Sequence, residues 1–267
     1  MGDEQELARE IGQLCDHYFM PLFRQWVSRE GNLSSSLPSS GSVSAGILPW
    51  RLESHDATIP NVDNLLRLST SLSVPSDWRI PRLTNKDLHL RMLFGDWTKP
   101  RSPAARYGAQ IGGSILEPQP GGKDQLTISI WRYPELNWDP IIISMSQVKL
   151  KATIAHELEH YLDPSLQDAP YNRLHKGVTE ATTLTEHLAY KSQPAEIRAV
   201  ARSIIVLAEG YDHPIIYELD HCIAGVRRAI LTNPETNPEE CERELRHYRQ
   251  LLADELIRRL PDLSGKL

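Results

Sequence analysis

The residues best suited to chemistry are two histidines and a glutamate, His156, Glu157 and His160, which form the pattern H-E-x-x-H within residues 148–163. On a helix, side chains four positions apart lie on one face, about 6 Å apart along the axis. Two imidazoles placed in this way can bind one zinc ion, and Glu157 can reach a water on that ion. We therefore predict a zinc site with His156 and His160 as ligands and Glu157 as the general base.

Apolar residues around the motif indicate that it lies on a helix. They recur every four positions and form a stripe beside the histidines: Leu150, Ile154, Leu158 and Leu162. Asp163-Pro164 should end this helix, because the residue before a proline avoids helical backbone geometry. The alternative interpretation is an ordinary amphipathic helix on which the two histidines face solvent or have a purely structural role.

This H-E-x-x-H helix resembles that of the zincin metallopeptidases, whose subgroups differ in the third zinc ligand. The residues after His160, Tyr161-Leu162-Asp163, do not continue the motif as metzincins do. Gluzincins take a glutamate from a following helix, and the segment 177–183, G-V-T-E-A-T-T, looks like that helix. The resemblance therefore implies Glu180, 20 residues after His160, as the third ligand. This resemblance is limited to about residues 150–200.

Glu196 is an alternative third ligand. Tyr190, Pro194, Glu196 and Ala199 form Y-x-x-x-P-x-E-x-x-A. This pattern resembles small phage and bacterial zincins, and also the peptidases that process phage repressors, in which an E-x-x-A helix supplies the ligand. The choice between Glu180 and Glu196 stays open at this point.

Other residues near the motif leave further alternatives. His175 or another acid could complete the site, whereas Glu186 and His187 are expected at the surface or around the ligands. The string H-E-L-E-H also fits the inverted zincin pattern H-x-x-E-H, in which Glu159 would be the base. In the forward motif, Glu159 points away from the water, about 200° round the helix from Glu157, and its substitution is expected to be nearly silent.

The activity that the resemblance implies is zinc-dependent hydrolysis of peptide bonds in a peptide or protein substrate. Three protein ligands leave zinc a position for a water whose pKa falls to about 7, and Glu157 would accept its proton. The oxyanion that forms when water attacks the scissile carbonyl should be stabilised by a tyrosine or a histidine, and the candidates are Tyr190, Tyr211 and His213. Two alternatives belong to other classes: a zincin-fold regulatory or binding protein with a non-catalytic metal site, and a helical interaction protein without metal.

Composition limits the partners. The chain has 267 residues, of which 40% are hydrophobic and 24% charged, as in ordinary globular proteins. Its net charge of -6 argues against a nucleic-acid partner. The three cysteines are widely spaced and predict neither a disulfide framework nor a C-x-x-C metal pair. The sequence has no long apolar run, so we expect no membrane partner. It has no secretory signal, which favours a cytoplasmic location.

The predicted architecture is α+β, zincin-like, with a small, mostly antiparallel sheet over a helical half that carries the H-E-x-x-H helix. Residues 1–30 are predicted to form an amphipathic helix, residues 31–46 a serine-rich linker, and residues 47–267 the zincin-like metallopeptidase domain. The extended substrate is expected to pair with the edge of a hairpin in residues 107–132.

Within that domain, residues 47–106 are expected to be irregular, with short helices at 61–68 and 84–94. Ile141-Ile142-Ile143 is expected to be a short buried strand. Prolines separate four helical patterns after Pro164. These patterns cover residues 179–191, 195–209, 214–231 and 238–260.

Overall fold

The structure is a computed structural model. It describes residues 12, 15–16, 20, 40–42, 49–55, 67–73, 89–96, 110–116, 125–132, 140–162, 184–231 and 237–267. The chain divides into two compact units, residues 1–157 and residues 158–267. The division falls within one continuous helix, Pro140–Leu162.

The first unit contains a six-stranded sheet. Its strands are β1 (Ser40–Ser42), β2 (Pro49–His55), β3 (Arg67–Ser73), β4 (His89–Asp96), β5 (Gln110–Leu116) and β6 (Gln125–Arg132). Their order is β1-β2-β3-β4-β6-β5. Neighbouring strands are antiparallel, except for the parallel pair β4 and β6.

The strands agree with the predicted hairpin but not with the predicted short helices. β5 and β6 pair antiparallel, from Gln110 opposite Trp131 to Leu116 opposite Gln125. Residues 67–68 and 89–94, by contrast, are strand where helices were expected. The physical reason in β4 is the period of its apolar residues, since Leu90, Met92 and Phe94 recur every second position, which is the strand period. In β3, Leu68 and Leu72 are four positions apart, a spacing that a strand and a helix both allow. β1 falls in the segment predicted as linker.

Helix α1 (Pro140–Leu162) carries the H-E-x-x-H motif. Its apolar stripe is buried as expected: Leu150, Ile154 and Leu158 are at most 1% exposed. The helix ends before Asp163-Pro164, at the predicted place. The prediction of a buried strand at Ile141–Ile143 is wrong, because these residues begin α1 and Ile141 is 71% exposed. A short apolar run does not by itself distinguish strand from helix.

Four further helices lie at or near the predicted places: α2 (Leu184–Lys191), α3 (Pro194–Tyr211), α4 (Ile215–Leu231) and α5 (Pro238–Arg259). From residue 140 onward, every regular element among the described residues is helical, ending in a short 3-10 turn at Pro261–Leu263. Helices α3, α4 and α5 pack against one another, and α2 packs on α3 and α5.

The core of this helical unit lies between those four helices. One face of the highly charged α5 supplies much of it, at the three- and four-residue spacing of a buried helix face: Cys241, Leu245, Tyr248, Leu252 and Leu256. α4 contributes Leu219 and Ile230. All three cysteines of the chain are free. In the part of the chain that the structure describes, no helix is long and apolar enough to cross a membrane.

Little of the predicted N-terminal helix lies among the described residues. Cys15 and Met20 are buried, and the Asp16 carboxylate lies 2.8 Å from Nζ of Lys151 on α1. Burial raises the pKa of the Cys15 thiol, and the positive charge of Lys151 opposes that rise. The N-terminal segment therefore contacts the helix that carries the motif. The boundaries predicted for the domain and its linker stay a prediction.

Candidate metal centre

The second histidine of the motif lies against a glutamate from α3. Nε2 of His160 is 3.1 Å from Oε1 of Glu196, and these side chains are only 8% and 2% exposed. His156, one turn earlier on α1, adds a third donor atom. The donor atoms of His156, His160 and Glu196 all lie within 4.8 Å of one another, and this is the group among the described residues that could hold a metal ion.

These three donors fit a zinc ion. Two imidazole nitrogens and one carboxylate oxygen are a known zinc ligand set, with metal–ligand distances of about 2.0–2.1 Å. In a tetrahedral site, such distances separate two ligand atoms by about 3.3 Å. The observed separation of 3.1 Å between His160 and Glu196 is close to that value. The pair is therefore already spaced as zinc ligands are.

A tight connection between α2 and α3 places Glu196. The backbone N–H of Gln193 donates to the carbonyl of Tyr190 at 3.0 Å, and Pro194 then begins α3. Proline suits the first helical position because it has no N–H to leave unpaired and its φ is already helical. Glu196 lies in the first turn of α3, where the positive end of the helix dipole favours a carboxylate. The Tyr190 hydroxyl donates a hydrogen bond to Oε1 of Glu196.

Glu159 has different partners. Its carboxylate lies 2.5 Å from Nη2 of Arg259 on α5 and 3.1 Å from Nε of Arg202 on α3. Both guanidinium groups are buried, at 2% and 4% side-chain exposure. One carboxylate oxygen of Glu159 faces Arg259 and the other faces Arg202, so neither is directed at a water on the metal donors. This geometry supports the forward motif, in which Glu157 rather than Glu159 would be the base.

The structure brings together some of the predicted site residues and not others. His156, Glu157 and His160 lie on α1, and Glu157 is buried. Glu180 and His175 lie outside the described residues, so Glu180 as third ligand stays a prediction. Glu186 and His187 belong to α2, but their side chains also lie outside the described part. Among the described residues, Glu196, the alternative ligand, is the acid whose carboxylate is grouped with the two histidines.

Tyr211 and His213 are too distant to stabilise an oxyanion at this centre. Tyr211 ends α3, 15 residues after Glu196, which corresponds to about 22 Å along the helix axis. Burial, followed by the nearby charge of Glu218, raises the pKa of Tyr211 to about 12. His213 lies beyond the same end of α3, and its Nδ1 forms a hydrogen bond of 2.7 Å with Oε1 of Glu218. The expectation for these two residues is therefore wrong, since helix length separates them from the site.

Sequence reasoning missed the arginines that hold Glu159. They lie 43 and 100 residues further along the chain, and no local pattern marks them. Tyr190 was named for another role, although its place in Y-x-x-x-P-x-E was noted. No family model, no curated protein and no solved structure matches the chain. The functional argument therefore depends on the geometry of these residues.

Proposed function

We propose that the protein is a zinc-dependent metallopeptidase, with zinc held by His156, His160 and Glu196 and with Glu157 as the general base. The observation that carries this proposal is the convergence of three donor atoms within 4.8 Å of one another. Two of the three residues are buried, so the group is built into the protein interior. The third donor comes from a different helix, 36 residues after His160.

The roles of the residues follow from their chemistry. When bound, zinc would supply a Lewis acid for the scissile carbonyl and would lower the pKa of water. Glu157 would accept a proton from the attacking water and return it to the leaving amine. Its neighbour Glu159 is occupied by Arg202 and Arg259, which leaves the proton transfer to Glu157.

Glu196 is proposed as the third ligand in preference to Glu180 for a geometric reason. Its carboxylate oxygen already lies at ligand spacing from Nε2 of His160. The structure does not describe Glu180, so substitution of each glutamate separately is the direct way to choose between them. The substrate class proposed is a peptide or protein, as the resemblance to zincins implies.

The function is tested by Glu157→Gln. Glutamine keeps the size and polarity of glutamate but does not accept a proton at neutral pH. This variant should retain zinc and its melting temperature, yet hydrolyse a peptide library roughly 10²–10⁴-fold more slowly than wild type. Glu209→Gln is the matched control, because Glu209 is an exposed acid at the other end of α3.

Two results would contradict the peptidase proposal. If the wild type binds zinc but hydrolyses no peptide, the alternative of a regulatory or binding protein with a non-catalytic metal site is favoured. If Glu157→Gln hydrolyses peptides as fast as the wild type and the Glu209→Gln control, the activity does not come from this helix. Zinc content and cleavage rate are measured side by side on all three proteins.

A further inference from the structure

Two contacts meet at one oxygen of the candidate metal centre. Oε1 of Glu196 accepts a hydrogen bond from the Tyr190 hydroxyl and lies 3.1 Å from Nε2 of His160. The tyrosine is at the end of α2 and the glutamate is in the first turn of α3, and the two-residue connection Ser192-Gln193 brings them together. Tyr190 thus contacts the carboxylate from outside the set of three donors.

A hydrogen bond from Tyr190 can hold the Glu196 carboxylate in one conformation. A glutamate side chain has three rotatable bonds and must be held in one conformation to serve as a ligand, which costs side-chain entropy. A hydrogen bond from a neighbouring residue fixes the carboxylate before the metal arrives. Removing partners of this kind typically weakens metal binding by about 10–100-fold.

The chemical type of the donor also matters. Glu159, which belongs to the arginine network, is held by two guanidiniums, and these cations already neutralise its charge. The hydroxyl of Tyr190 is neutral, so it can orient Glu196 without cancelling the negative charge that attracts a divalent ion. A neutral donor is therefore well suited to a carboxylate that must still bind a metal.

We propose that Tyr190 is a positioning residue that holds Glu196 in its ligand conformation and so raises the affinity of the site for zinc. This inference rests on the proposed function only in so far as Glu196 is a ligand. It assigns the tyrosine a role in metal binding, in place of the oxyanion role for which it was a candidate.

The test is Tyr190→Phe, which removes the hydroxyl and keeps the ring. Zinc affinity is measured by competition with a chromophoric chelator, and the variant is expected to bind zinc about 10–100-fold more weakly than wild type. A second readout is the visible absorption spectrum of the cobalt-substituted protein, which reports the arrangement of the ligands and should change in Tyr190→Phe. A change confined to protein stability would move neither quantity.

Tyr211→Phe is the matched control. Like Tyr190 it is a partly buried tyrosine, but it ends α3 about 22 Å along the helix axis from Glu196, so its hydroxyl does not reach the metal donors. Its removal should leave zinc affinity and the cobalt spectrum unchanged. The inference is overturned if Tyr190→Phe binds zinc as tightly as wild type, or if both variants weaken binding equally. A wild type that binds no zinc would instead overturn the proposed function itself.

Discussion

Two faces of helix α1 reach the same neighbouring helix in different ways. On one face, His160 lies against Glu196 of α3, and His156 completes the group of three metal donors. On the other face, Glu159 lies against Arg202, six residues further along α3. Both contacts join α1 to α3, but only the second pairs a carboxylate with a guanidinium of α3.

The difference separates a structural ion-pair network from a candidate metal site. Charged groups are buried at a large cost unless opposite charges compensate them. Glu159 has that compensation from Arg202 and from Arg259, which lies 100 residues further along the chain. Oε1 of Glu196, by contrast, is grouped with donor nitrogens of His156 and His160 as a third possible metal ligand. We therefore regard the arginine face as structural and the histidine face as the candidate metal site.

The largest expected effect comes from Glu159→Gln. This change removes the carboxylate that Arg202 and Arg259 share, although Arg259 keeps its pair with Glu255, and should lower the free energy of unfolding by about 3 kcal/mol. The sequence alone suggested a nearly silent substitution, and the ion pairs with Arg202 and Arg259 are the reason to revise that expectation. Urea unfolding of the metal-free protein measures the effect without a contribution from bound metal.

Glu244→Gln is the control for that measurement. Glu244 is 39% exposed and pairs with its neighbour Arg243 on the surface of α5, so its loss should cost less than about 1 kcal/mol. If Glu159→Gln and Glu244→Gln unfold at the same urea concentration, the arginine face does not stabilise the fold as described.

A smaller effect is expected at Glu255, which binds Arg259 from within α5 at 2.6 Å. Burial raises the pKa of this carboxyl, but hydrogen bonds from Arg258 and Arg259 outweigh it and lower the pKa below its ordinary value. A lowered folded-state pKa contributes stability above the unfolded-state value of about 4.3, and that contribution is lost as the pH falls through the folded-state pKa.

Glu255→Gln should therefore be less stable than wild type at neutral pH, by at most about 1 kcal/mol because its pairs lie along one helix. The difference should shrink as the pH is lowered below about 4. Unfolding curves of both proteins across this pH range measure it. A difference that is constant with pH would show that the Glu255 charge does not contribute.

The sequence allowed local features to be predicted well. The i, i+4 spacing of His156 and His160 with the apolar stripe predicted their helix, and Pro164 marked where it ends. These features depend on residues within a few turns of each other. The sequence alone did not identify the third ligand, because that residue is set by how the helices pack. Two motifs, one around Glu180 and one around Glu196, were both plausible.

Contacts between residues far apart in the sequence could not be predicted from local patterns. Arg259 pairs with Glu159 although they are 100 residues apart in the sequence, and no local sequence pattern around either residue predicts the pair. Strands β3 and β4 were missed for another reason, because capping residues were interpreted as helix starts. The two-residue period of Leu90, Met92 and Phe94 in β4 was not used, and Leu68 and Leu72 in β3 are four positions apart, a spacing that does not distinguish strand from helix.

The most direct test of the central claim is the zinc content of two variants beside the wild type, Glu196→Gln and Glu180→Gln. The wild type should purify with one zinc per chain, since the three donors match the ligand preference of that metal. Glu196→Gln should lose the zinc, and Glu180→Gln should keep it. Loss of zinc in Glu180→Gln with full retention in Glu196→Gln would contradict the account and would place the third ligand at Glu180.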